Sequence, residues 1–557
     1  MRQNSFFGFL ATGVILLVIV LAGSYWFFAK SPATLISGSG TTSEPGAAIF
    51  VSKSAPVMVS MLVNPDRLQV LESDRELSKL KTSLFANTGI NYPEDIKPWL
   101  GNEITLAVTS LDSDRDPANG RQPGYLMALA TNKPEKSREF VELLFSKRAL
   151  AGETLVVEEY KGVKLISDTS PSEKGLLVGA NVGDFVLFAN DAKVLRDAIN
   201  NVQAPDLNLT NSEQYQKALK QLPKGSLAAA FLNLPTVAEW QGLKLREAIY
   251  DSQIVSLALN PKGVLAETSL FASSATSAPS AQLSKPVEAL NYIPETAGIA
   301  VSGVDLSNLE RSDLAQLWNQ VTAVISGQKD VNSSLVQPLT DVQKGWGIDL
   351  QKDIFSWVQG EYAIALLPHL EQVNPDWVFV VEKSEGAEDG ISHLDAIASE
   401  QGLSVSSLTL DNQKISAWTE LTTVTNNADG GGINIQAKVQ GLHTTSGNYE
   451  IFTNSIDLMD QALKNKGNSL VNNRNFQDSI AAIPRPNQGY VYLDWAKSHE
   501  IVERQIPILK LVEVVGKPFL DKVRWRSHSV GVSLIVSSYG NDTGLLKGGV
   551  FFQLHHS

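Results

Sequence analysis

Residues 89–107 read GINYPEDIKPWLGNEITLA, and residues 347–365 read GIDLQKDIFSWVQGEYAIA. Seven positions are identical at a constant offset: Gly, Ile, Asp, Ile, Trp, Glu and Ala. An internal repeat constrains a fold more tightly than composition does, because stretches with the same apolar spacing bury the same faces. The correspondence continues along the chain. GDFVLFANDAKVLRDAI at 183–199 matches GNYEIFTNSIDLMDQAL at 447–463, and residues 213–234 match 474–495. Each stretch at 183 or 447 starts as a β-rich run. Each then places an Asn, Asn190 or Asn454, where it could cap a helix. Val194, Leu195, Ala198 and Ile199 form one apolar helix stripe, and Leu458, Met459, Ala462 and Leu463 form the same one. In the third pair a helix pattern ends at Pro223 or Pro484 and a strand follows.

A chain of 557 residues is too long for one ordinary core. The repeat divides it into two similar domains at residues 47–271 and 287–557, joined by the Ser- and Ala-rich segment 272–286. Strands mostly follow one another as hairpins, with helices inserted in pairs. That order predicts an α+β fold with largely antiparallel sheets, not a doubly wound parallel one.

Within the repeated segment Asn91 and Asp349 stand as helix N-caps. Ile96 and Trp99, like Ile354 and Trp357, are spaced to face a core, and Gly101 and Gly360 end the helix before a strand. The shared positions Gly89, Asp95, Trp99, Gly347, Asp353 and Trp357 are the structural motif of the repeat. The acids kept in both copies, Asp95 and Glu103 with Asp353 and Glu361, are expected to cap backbone or pair with a nearby base. The pattern G-I-(N/D)-x-x-x-D-I-x-x-W, followed after a turn by a strand, resembles an uncharacterised bacterial family, frequent in cyanobacteria, of membrane-anchored proteins with a domain of unknown function. The resemblance covers nearly the whole region after residue 46. It implies the tandem fold and a membrane address, and it carries no catalytic residue.

Residues 6–28, FFGFLATGVILLVIVLAGSYWFF, contain no charge. As a helix they would reach about 35 Å, enough to span a bilayer. Bulky aromatics follow Ala22 where a signal-peptide cleavage site would need small residues, so residues 1–30 read as an uncleaved single-pass anchor. Residues 31–46 are rich in Ser, Thr, Gly and Pro and read as a flexible tether. The bulk of the chain is then expected on the extracytoplasmic side, in a periplasm or lumen. There is no cysteine, which excludes disulfides, thiol catalysis and Cys-ligated metals. The net charge of −13, without a basic cluster, argues against nucleic acid.

Chemistry-bearing patterns are sparse. All seven histidines lie at or beyond His369, and no pair has metal-binding helical spacing. The sharpest metal candidate is Asp112, Asp114 and Asp116 in LDSDRDPANG. Pro117 stands where a calcium-binding loop needs Gly, so an acidic hairpin loop explains the run as well. There is no phosphate-binding glycine loop and no nucleophile elbow. No catalytic residue and no cofactor is expected. The reading is a non-enzymatic, membrane-tethered, extracytoplasmic binding or assembly protein with a protein partner. The alternatives are a carboxylate-dependent hydrolase and a carrier of an apolar ligand.

Overall fold

Alternating apolar runs bounded by Gly, Asn and Asp turns become strands, and every strand pairing whose register is given is antiparallel. The computed structural model describes residues 44–64, 92–113, 120–168, 177–240, 250–260, 262–272, 282–307, 349–369, 375–425, 433–464, 467–498, 530–542 and 544–556. The chain divides into two units, residues 1–277 with 541–547, and residues 278–540 with 548–557.

The first unit holds β1 (Val57–Met61), β2 (Leu100–Ser110), β3 (Gly124–Thr131), β4 (Leu155–Tyr160), β5 (Val163–Asp168), β6 (Leu177–Val182), β7 (Phe185–Ala189), β8 (Ala228–Asn233), β9 (Tyr250–Asn260) and β10 (Gly263–Ala272). They pair in the order β4-β5-β6-β7-β3-β2-β1-β8-β9-β10. Helix α1 (Pro134–Leu150) lies between β3 and β4, while α2 (Ala192–Gln203) and α3 (Glu213–Leu219) lie between β7 and β8. A fourth, α4 (Leu234–Trp240), follows β8. Helices α1 and α2 cover opposite faces of the same hairpins. Ile166, Val186 and Phe188 pack with Phe140, Val141, Leu144 and Phe145 of α1. Their chain neighbours Leu165 and Leu187 pack with Val194, Leu195, Ala198 and Ile199 of α2. The alternation of a strand supplies both sets.

The second unit holds β11 (Ile299–Val304), β12 (Glu361–Leu367), β13 (Asp376–Glu382), β14 (Ser404–Leu410), β15 (Gln413–Thr425), β16 (Ile433–Ser446), β17 (Tyr449–Thr453), β18 (Tyr490–Asp494) and all but the 541–547 end of β19 (Val530–Asp542) and β20 (Leu545–His556). Their order is β14-β15-β16-β17-β13-β12-β11-β18-β19-β20, the same succession of pairings. Helices α5 (Ala387–Glu400), α6 (Ile456–Lys464) and α7 (Arg474–Ala482) stand where α1, α2 and α3 stand in the first. Leu394 and Ala398 of α5 pack with Val381, Trp418 and Phe452.

The fold is α+β and antiparallel, and several finer expectations change. Asn190 and Asn454 do not cap helices. Asn190 accepts the N–H of Tyr125 at 2.8 Å, and Asn454 that of Trp377 at 2.9 Å, so each fastens the start of a neighbouring strand. The cap is the next residue: Asp191 accepts from Lys193, and Ser455 receives the N–H of Leu458. Helices come as a pair between β7 and β8 but singly between β3 and β4. The boundary between the units falls inside the segment 272–286, where Leu283 forms a two-way backbone bridge with Asn487. The anchor expected at residues 1–30 lies outside the described residues. Among the described residues no helix is long and apolar enough to cross a membrane.

Candidate functional site

The repeated segment is the natural place to look for a site, and its geometry repeats in detail. It forms a single wide π-helical turn, Tyr92–Ile96 in the first unit and Leu350–Ile354 in the second. Gly101 lies inside β2 and does not end a helix, because the strand already starts at Leu100. The indole N–H of Trp99 donates to the carbonyl of Asp95 at 2.6 Å, and that of Trp357 to Asp353 at 2.8 Å. Trp99 is buried, with Phe140 of α1 at 5.3 Å between ring centroids. Trp357 is only half-buried, because Gly390 stands where Phe140 does and supplies no ring. The two tryptophans, both expected to face a core, make the same bond with unequal burial.

Three of the four shared acids hold backbone. Glu103, 2% exposed, accepts the N–H groups of Gly46 and Ala47 at 2.8 and 2.9 Å and the hydroxyl of Thr105 at 2.7 Å. Burial lifts its carboxyl above the ordinary range, and those three donors pull against the rise. Glu361 does the same for the second unit's entry turn, accepting from the N–H of Glu288 at 2.6 Å and the hydroxyl of Tyr449 at 2.9 Å. Burial, with that carboxylate next, pushes the Tyr449 phenol up. Asp353 accepts the N–H of Asp349 at 2.8 Å and faces His393 at 3.3 Å. Asp95 lies 3.8 Å from Lys147 of α1.

Beside this turn the first unit opens a groove of about 250 Å³, lined by Asp95, Trp99, Phe140, Leu143, Lys136 and Lys147 among others. Leu143 is 51% exposed on its wall. The lining mixes Trp99, Phe140 and Leu143 with acids and lysines, a combination suited to an amphipathic ligand or peptide.

Gly89, Asn91, Gly347, Asp114 and Asp116 lie outside the described residues. Asp112 receives the N–H of Gln122 at 3.4 Å across its hairpin. Among the described residues no group of three or more His, Asp or Glu could hold a metal ion.

Two buried polar clusters were not singled out from the sequence. In the first unit Arg148 of α1 pairs with Asp168, which is 2% exposed, its Nε donating at 2.7 Å. In the second, His443 is 6% exposed and lies between two carboxylates, Glu450 at 2.7 Å from Nδ1 and Asp395 at 3.2 Å from Nε2. Trp418 donates to the same Asp395 oxygen at 2.7 Å, and the imidazole stacks on Phe452 at 5.5 Å. The signal lay in comparing the two copies, where Gly179 and Val186 stand in place of His443 and Glu450.

A family model described as "Protein of unknown function (DUF3352)" matches residues 9–554. No curated protein matches the chain. Among solved structures, crystal form IV of TP0453 is similar over 41% of this chain and 80% of its own, at 10% identity and a TM-score of 0.26. Crystal form III of the same protein is similar over 42% and 82%, at 11% identity and a TM-score of 0.25.

Proposed function

The chain belongs to the DUF3352 family, whose pattern begins at residue 9 inside the apolar run, and on that premise we propose a membrane-tethered, non-enzymatic binding or assembly protein. It consists of two tandem copies of one α+β domain on the extracytoplasmic side, held by an uncleaved anchor at residues 6–28. The observation that carries this reading is the use of the shared acids. Glu103, Glu361 and Asp353 are engaged by backbone N–H groups, so what the two copies retain is architecture. Tandem duplication is supported by ten strands pairing in one order in both units, and by the same contacts at Trp99 and Trp357 and at Asn190 and Asn454. The partner is a protein, docking an amphipathic segment into the groove beside Trp99.

The test is fractionation of the tagged full-length chain. Carbonate washing should leave it in the membrane pellet, and protease should digest the bulk of it once the outer compartment is opened while the inner membrane stays intact. Release by carbonate, or protection from protease, would overturn the membrane-tethered extracytoplasmic reading.

A further inference from the structure

We propose that the contacts between helix and sheet act as keys that sort the two like units during folding, so that α1 docks only on β5, β6 and β7 and α5 only on β15, β16 and β17. The inference rests on the geometry and is independent of the binding function. Two units with one pairing order face a specific hazard, since each helix finds two sheets of the same topology and misassembly is a known failure of like domains on one chain.

Register fixes which residues correspond. Gly179 pairs with Phe188 across β6 and β7, and His443 pairs with Phe452 across β16 and β17. Asp168 sits opposite Leu155, and Trp418 opposite Val405. Both helices close with a left-handed glycine, Gly152 at φ 93° and Gly402 at φ 82°. Glu153 returns its N–H to Arg148, and Leu403 to Ala398. Counting back equates Arg148 with Ala398, Phe145 with Asp395, and Phe140 with Gly390.

At each of these places the two units are complementary within themselves and incompatible with each other. Phe145 lies over Gly179 so closely that a methyl on that glycine would meet its ring at 2.7 Å. In the second unit the same place holds the His443 imidazole, bonded to Asp395. Docked on the second sheet, α1 would drive Phe145 into that ring. It would also bring the Arg148 guanidinium against Trp418, where the first unit has Asp168. The third place is steric. A methyl on Gly390 would lie 2.6 Å from the Trp357 ring, so a side chain the size of Phe140 cannot enter there. Docked on the first sheet, α5 would point Asp395 at Gly179 and Phe188, with neither the His443 nor the Trp418 donor, and would leave Asp168 without Arg148. Clashes and unpaired buried charge against the wrong partner are how such discrimination is built.

The experiment is refolding of the full-length chain from denaturant in detergent, read by size exclusion as the yield of the species that the never-denatured protein forms. One variant gives both units the first unit's keys at the first two places, leaving Gly390 and Trp357 as they are: Asp395→Phe, Ala398→Arg, Trp418→Asp, His443→Gly and Glu450→Val. A second adds the reciprocal changes, Phe145→Asp, Arg148→Ala, Asp168→Trp, Gly179→His and Val186→Glu, so the keys are exchanged but still distinct. The proposal expects a several-fold loss of that native species in the first variant, with larger helix-exchanged species in its place, and recovery in the second. A first variant that refolds like the wild type would overturn it. So would an equal or greater loss in the second variant, which would mean that these residues serve only their own local packing.

Discussion

Trp357 donates its indole N–H to the backbone carbonyl of Asp353, four residues earlier, at 2.8 Å. Trp99 does the same to Asp95 at 2.6 Å. The bond closes the wide turn from its side chain and fixes where the following strand begins. That explains why Asp and Trp keep their spacing in both halves of the chain. The acid's side chain differs in its partners from one unit to the other, while its carbonyl does not.

Truncating these tryptophans should therefore destabilise both units, but unequally. Trp99→Ala removes a fully buried ring and should cost about 3–5 kcal/mol. Trp357→Ala should cost less, because its ring is half-exposed and faces Gly390 instead of a phenylalanine. Denaturant unfolding of the two variants measures this, and equal losses would contradict it.

The Arg148–Asp168 pair should behave as a buried ion pair. Arg148→Met leaves a carboxylate that is 2% exposed without its guanidinium, at a cost of about 3–5 kcal/mol. Adding Asp168→Leu should recover most of that loss. A double variant as unstable as the single one would show that the pair's role lies elsewhere than in mutual compensation.

Glu103 gives a pH dependence of defined sign. Burial raises its folded-state pKa above the ordinary 4.5, so the folded chain holds this proton more tightly than the unfolded one. Its contribution to stability is complete below pH 4.5 and is lost as pH climbs through the raised value. The wild type should lose stability relative to Glu103→Gln over that window and run parallel to it above. A stability difference between the two that is flat with pH would contradict the assignment.

Much of the fold was legible because both periodicities were strong and were written twice. Val194, Leu195, Ala198 and Ile199 read as a buried stripe and are one, as are Leu458, Met459 and Ala462. What failed was decided by contacts remote in sequence. Asn190 looks like a cap because Asn favours caps, yet its amide is engaged by Tyr125, 65 residues away, and Asp191 takes the local role. Gly101 looks like a helix stop, yet the preceding turn is too short to need one. The His443 cluster was invisible for a different reason: its three members, on α5, β16 and β17, meet only through strand register and helix docking.

The proposal that the duplicated architecture serves binding is tested most directly at the groove beside Trp99. A photocrosslinking residue at Leu143, which is 51% exposed on the groove wall, is compared in cells with one at Leu207, 48% exposed elsewhere in the same unit. The account predicts a discrete protein adduct from position 143 that is absent from position 207 and is lost when Lys147→Glu reverses the charge at the rim. Identical adducts from both positions, or none from position 143, would contradict it.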